Sequence, residues 1–377
     1  FDRAEKRYGE LLALTPANDK ARGDLVERQA ASIYKQGEAA QKSGKAQDAV
    51  GHFTRVAAVA PGSAIHASAQ YDAAAALIGL KDWDNAAKML EDFRQRFPKH
   101  PLADDASNKL AVAYLEKGRW SEAAGEFERV AASGKDPKLA QEALWQAAEL
   151  HGKGNNRAAS AKAYERYLKQ YPEPFERSME TRHRLAVMAR ADGNSKREFE
   201  LQRDIFTADQ RGGGARTERT RFLGATAALA ITQPAVDEYK KVALVEPLQR
   251  SLKTKKAKFE EALRGYAAAA EYGVADVSTA ATFHTAALYQ DFGKAMLNSQ
   301  RPKGLKKLEI EQYNVLLEEQ AFPFEEKAIE LHEANARRTA KGVYDEWVQK
   351  SFAALRTLKP GKYARVERSE GVIDAIR

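Results

Sequence analysis

The chain has 377 residues, 44% hydrophobic and 30% charged, with 61 basic against 53 acidic side chains and a formal charge of +8. It contains no cysteine, which excludes a disulfide framework, a thiol nucleophile and a cysteine-ligated zinc. No apolar run approaches the roughly 20 residues of a membrane-spanning helix, and acidic and basic residues interleave along most segments, as on a solvated, ion-paired surface rather than a basic stripe that tracks nucleic acid.

In chain order, Ala4, Tyr8, Leu11 and Pro16 have the spacing of the second half of a helical repeat. The natural chain is therefore expected to begin upstream, with 1–29 the end of a truncated repeat and a connecting helix. From about residue 30 the sequence echoes itself every 37 residues. Ala49, Ala86, Ala123 and Ser160 share one phase, and Phe53, Leu90, Phe127 and Tyr164 follow four residues later. Prolines 61, 98, 137 (two late) and 172 are expected to stop the second helix of each unit. A fixed period of this size predicts an array of supersecondary units. Apolar residues at i, i+3/i+4 and i+7 make each unit two amphipathic helices, and Ala74, Ala86, Ala111, Ala123 and Ala148 fall where the helices would cross.

Beyond 177, residues 178–214 read as an eroded fifth unit ending in a Gly-rich linker at Arg211–Gly214. Residues 215–360 lose the period but keep second-helix patterns at Ala262/Tyr266/Ala269, Glu309/Tyr313/Leu316 and Val348/Phe352/Leu355/Pro360. They are expected to form divergent hairpins of longer helices, and 361–377 a charged tail. Two basic clusters, Lys253/Lys255/Lys256/Lys258 and Arg301/Lys303/Lys306/Lys307, offer peripheral contact with an anionic membrane or plain solubilising surface.

The units from 30 to 177 resemble tetratricopeptide repeats, whose pattern is large–x2–Leu–Gly/Ala–x2–Tyr in helix A, then Ala–x3–Phe–x2–Ala and Pro. The counterparts here are Ile33, Gln36, Gly37, Ala40, Ala49, Phe53 and Pro61; Gln70, Ala73, Ala74, Leu77, Ala86, Leu90 and Pro98; Ser107, Leu110, Ala111, Tyr114, Ala123 and Phe127; and Leu144, Ala147, Ala148, His151, Ser160, Tyr164 and Pro172. The family's usual period is 34 residues. The resemblance implies an all-α, right-handed superhelical solenoid that binds protein partners, with helix A lining a concave groove. Position five of helix A is Tyr34, Tyr71, Asn108 and Trp145, and Glu38 and Glu149 lie one turn on from the first and last. These six residues are the candidate partner-binding site for a peptide or helix with apolar anchors and some basic character. The sequence leaves open whether the rings line the groove or pack between repeats. An aromatic column also suits a glycan or peptidoglycan strand, a reading from another class.

No residue is assigned to catalysis, a cofactor or a metal, and enzymatic activity is not expected. The seven histidines are scattered without HExxH, GxSxG is absent, and Gly212–Gly214 lacks the lysine of a phosphate loop. The stretches 272–297, 320–338 and 342–355 resemble Gram-negative envelope proteins of this repeat class, linked to outer-membrane assembly or to Tol/ExbB-type and gliding-motility machinery. That resemblance implies a periplasmic scaffold, anchored at the outer membrane through residues upstream, with envelope-complex subunits as partners; a cytosolic adaptor is the alternative.

Overall fold

The computed structural model describes residues 1–134 and 136–365, in which every regular element is helical. Two compact units divide at Tyr171/Pro172. The first holds α1 (Asp2–Leu14), α2 (Arg22–Lys42), α3 (Ala46–Val59), α4 (His66–Gly79), α5 (Trp83–Arg96), α6 (Ala103–Glu116), α7 (Trp120–Ser133), α8 (Pro137–Lys153) and α9 (Arg157–Gln170), each packed on the next. Helices α2, α4, α6 and α8 are the A helices of four hairpins and α3, α5, α7 and α9 the B helices. The B helices begin at 46, 83, 120 and 157, so the 37-residue echo is a structural period.

Each A-to-B turn closes identically. Gly44, Lys81, Gly118 and Asn155 take φ of +74, +60, +67 and +57°. The next N–H in each case (Lys45, Asp82, Arg119, Asn156) donates to the carbonyl five residues back, at Ala40, Leu77, Tyr114 and His151, over 2.8–2.9 Å. This is the left-handed helix cap that satisfies the last orphan carbonyls. Gly193 (φ +70°) and the Asn194-to-Ala189 bond repeat it between α10 (Phe175–Ala191) and α11 (Ser195–Arg211), so the same turn recurs in the stretch expected to be an eroded fifth unit.

The hairpins are drawn tight at one level. Gly37, Ala74, Ala111 and Ala148 on the A helices, and Ala49, Ala86, Ala123 and Ser160 on the B helices, are all buried. Ser160 Oγ donates to Ala148 O at 2.7 Å, which places the crossing directly. A Cβ on Gly37 would fall 2.5 Å from the Phe53 ring. One proline differs from expectation: Pro137 opens α8 at its first turn behind the Asp136 cap, and α7 ends instead at Gly134 in the left-handed conformation. Its fixed φ and missing N–H suit a helix start.

The second unit continues with α12 (Glu218–Lys241), α13 (Leu248–Glu271), α14 (Ala275–Leu297), α15 (Lys307–Arg337), α16 (Glu346–Leu358) and α17 (Pro360–Tyr363). Its core is aromatic: Phe259 lies 4.8 Å from Phe292, which stacks at 4.7 Å on Phe324, with Tyr239 and Tyr266 in the same cluster. The Gly-rich stretch is no extended linker. It is a tight turn, with a 3-10 helix at Gly213–Ala215, between helices α11 and α12 that pack together, and Arg216 pairs with fully buried Asp209 at 2.8 Å. The 309/313/316 pattern does not form a buried face, since Glu309 and Leu316 are exposed. At the C-terminal end, Lys359, Lys362 and Tyr363 all donate to Glu333 Oε1 of α15. Of the expected tail, 366–377 lies outside the described residues.

Both basic clusters are broken by the fold. Lys255 is buried, donates to the Tyr239 and Val242 carbonyls at 3.3 and 2.9 Å, and sits 4.0 Å from the Tyr239 ring centre. It caps the C-terminal end of α12 and is spent there. Arg301 is turned onto the Leu297 carbonyl and Asn314. Lys253, Lys256, Lys303, Lys306 and Lys307 remain exposed.

Two predictions follow from local strain and burial. Lys81→Gly relieves a left-handed lysine and should stabilise by about 0.5–1 kcal/mol, whereas Gly118→Ala should cost about 1 kcal/mol; chemical denaturation of both variants reads the difference. His332 is buried against Phe283 with neither ring nitrogen hydrogen-bonded, and burial pushes it from 6.5 down to about 4. The unfolded chain therefore takes this proton first: its contribution to stability is full above pH 6.5 and is lost on acidification toward 4, by about 1.4 kcal/mol per pH unit. Denaturation midpoints across that window should fall less steeply in His332→Leu than in the parent protein.

Candidate protein-binding face

The six sequence-assigned residues all lie on A helices, so the hairpin period brings them to one side of the first unit. Their environments differ. The Tyr34 ring tilts against Phe53 of its own B helix at 5.3 Å, and its hydroxyl donates to Asp72 Oδ2 on the next A helix at 2.5 Å. One repeat on, Tyr71 packs on Phe93 at 6.0 Å and donates to Asp105 Oδ2 of α6, with Lys109 5.6 Å above the ring. Both phenols are half-buried. Burial first, and then the accepting carboxylate, raises both well above the usual tyrosine range, so they stay protonated donors.

The bridge stops at the third repeat. Asn108, where Tyr34 and Tyr71 have rings, is exposed and lines a cleft of about 140 Å³ with Asp104, Ser107, Val130 and Leu139 of the next A helix. Val112, one turn further on, is 45% exposed. Trp145 is 8% exposed, its ring held edge-on by Tyr164 and Tyr167 at 5.3 and 5.4 Å, so it supports the face from beneath. Glu149 accepts from the Tyr164 hydroxyl, and Glu38 pairs with Lys35 at 2.5 Å.

Asp72 and Asp105 complete the face, and the sequence did not single them out. They stand 33 residues apart, out of phase with the 37-residue echo, and only the packing of successive A helices brings each beneath a tyrosine. With Glu38 and Glu149 they make the face rich in carboxylates, against Lys35 and Lys109. A separate depression of about 500 Å³ between α3, α4 and α5, floored by Val50, Phe53, Leu77 and Met89, includes none of the assigned residues. Among the described residues no group of three or more His, Asp or Glu could hold a metal ion, and no helix is long and apolar enough to cross a membrane.

Paired helices repeated with a common turn define a helical-hairpin repeat protein. Residues 71–140 and 142–174 each match a tetratricopeptide-repeat family model. These two stretches of the chain are tetratricopeptide repeats. No curated protein matches the chain in sequence. Among solved structures it is similar to residues 41–end of MamA from Desulfovibrio magneticus RS-1 (16% identity over 49% of this chain and 97% of that one, TM-score 0.29). It is also similar to a tetratricopeptide repeat protein from Parabacteroides merdae ATCC 43184 (16%, 67% and 91%, TM-score 0.27) and to a chain of Naa15/Naa10 bound to HypK-THB (16%, 95% and 57%, TM-score 0.35). These are distant likenesses.

The tyrosine bridges have a measurable consequence. Tyr71→Phe keeps the ring and removes one bond to a carboxylate, and should cost about 1–2 kcal/mol, whereas Tyr71→Ala also empties the space over Phe93 and should cost about 3 kcal/mol. An unchanged urea midpoint in Tyr71→Phe would mean that the hydroxyl contributes nothing.

Proposed function

We propose that the chain is a non-catalytic scaffold that receives a peptide or helix of a partner protein on its A-helix face. Tetratricopeptide repeats are protein-interaction modules, and the support for this face is its break at Asn108: regular Tyr-to-Asp bridges give way there to an open cleft beside exposed Val112 and Leu139. Val112 and Leu139 would take an apolar anchor, while Glu38, Glu149 and the Asp72 and Asp105 carboxylates favour basic flanks. Tyr34 and Tyr71 offer ring edges, and Trp145 fixes the floor. A glycan strand has less support, because stacking on sugars needs open ring faces and these rings are half-buried or buried. From the resemblance of 272–297, 320–338 and 342–355 to envelope proteins we place the scaffold in the periplasm, with envelope-complex subunits as partners; fractionation of cells expressing the natural gene tests that placement.

Asn108→Arg with Val112→Glu changes exposed positions only. The pair should weaken capture of the co-purifying partner by about tenfold, in line with loss of an interface anchor, and leave the melting temperature within a degree or two. Undiminished capture by this variant would remove the face from consideration.

A further inference from the structure

The first half of α15 carries an apolar stripe that the described residues leave exposed. Leu308, Val315 and Phe322 are 66, 54 and 59% exposed and stand seven residues apart, two helical turns each, so they share one line along the helix. Leu316, 56% exposed, widens the stripe on one side. The opposite side of the same turns faces the unit's interior: Leu317 and Ala321 are buried, and Phe324 stacks on Phe292. Four large apolar side chains more than half exposed within fifteen residues is an unusual concentration, since exposed apolar residues are ordinarily scattered.

The flanks determine what can cover it. Glu311, Glu318, Glu319, Glu325 and Glu326 lie on or beside the stripe, and all five are exposed. In the same stretch Lys307 is the only basic residue before Lys327, and Lys327 is paired with Glu330 at 2.7 Å. A second copy laid antiparallel about Val315 would bring Glu311 opposite Glu319, like charge on like. An anionic membrane surface would repel the same carboxylates. A helix with its own apolar stripe between lysines or arginines satisfies both features at once, by the helix-against-helix mode in which anchors recur at i, i+3/i+4 and i+7.

We infer that residues 308–326 are a docking surface for a basic amphipathic helix of a partner protein, separate from the A-helix face of the first unit and independent of whether that face binds. Fluorescence anisotropy of the whole chain with a labelled synthetic helix of Leu/Lys heptads tests it, against a Leu/Glu counterpart of equal length. The basic helix should bind and the acidic one should not. Leu316→Glu with Phe322→Glu, which touches no buried residue, should weaken binding about tenfold with helical circular dichroism unchanged. The triple reversal Glu311→Lys, Glu318→Lys, Glu319→Lys should transfer preference to the acidic helix, an outcome that non-specific adhesion of a cationic peptide elsewhere cannot produce. Failure of the parent chain to bind, equal affinity in all variants, binding of phosphatidylserine vesicles, or a concentration-dependent dimer lost with Leu316→Glu would each overturn the assignment.

Discussion

Everything regular in the first unit depends on how closely two helix axes approach at one level of each hairpin. Gly37, Ala74, Ala111 and Ala148 on the A helices and Ala49, Ala86, Ala123 and Ser160 on the B helices are all buried, and at Gly37 even a Cβ would strike the Phe53 ring. With the axes fixed there, the large residue one turn further along each B helix (Phe53, Leu90, Phe127, Tyr164) has a single place to go, beneath its own A helix. Interiors pack at crystal-like density, so one added methylene at such a crossing is felt throughout the hairpin. The one polar member, Ser160, is accommodated because its hydroxyl finds the Ala148 carbonyl across the gap.

The second unit answers the same problem differently. Its later helices are longer, the 37-residue spacing is gone, and the packed rings of Tyr239, Phe259, Phe292 and Phe324 fill its core where the first unit relies on close-approaching alanines. Long helices also outrun their neighbours. Helix α16 has 13 residues against the 31 of α15, and packs where His332, Asn335 and Ala336 are buried. The preceding turns of α15 keep Leu308, Val315 and Leu316 in the open. Buried polar groups in this unit have to be accommodated: Lys255 is satisfied by the end of α12, and His332 is held neutral.

On the A-helix side, hydroxyl-to-carboxylate bonds tie consecutive repeats together. Such bonds to an ionised acceptor are stronger than neutral ones, and they fix the tilt of Tyr34 and Tyr71 relative to the next hairpin. Asn108 lacks the reach to make the same bond, so a repeat junction that is closed twice is open the third time. Variation within a repeat is thus legible as function only at the junction, where the neighbour decides whether a side chain is structural or available.

Residue periodicity by itself determined the paired helices of the 37-residue units and the small residues at their crossings, because these follow from local preferences repeated in phase; it did not place the start of the first A helix, which lies at Arg22 rather than near 30. The tertiary structure decided what the sequence could not. It set Pro137 at a helix start, since a proline between two helices is compatible with either neighbour. It made the Gly-rich stretch a packed turn, buried Lys255 within an apparently surface-exposed basic run, and sank Trp145 under two tyrosines. Asp72 and Asp105 joined the candidate face only through the offset between stacked helices. Each of these depends on what lies across a helix interface, at sequence separations that no local pattern reports.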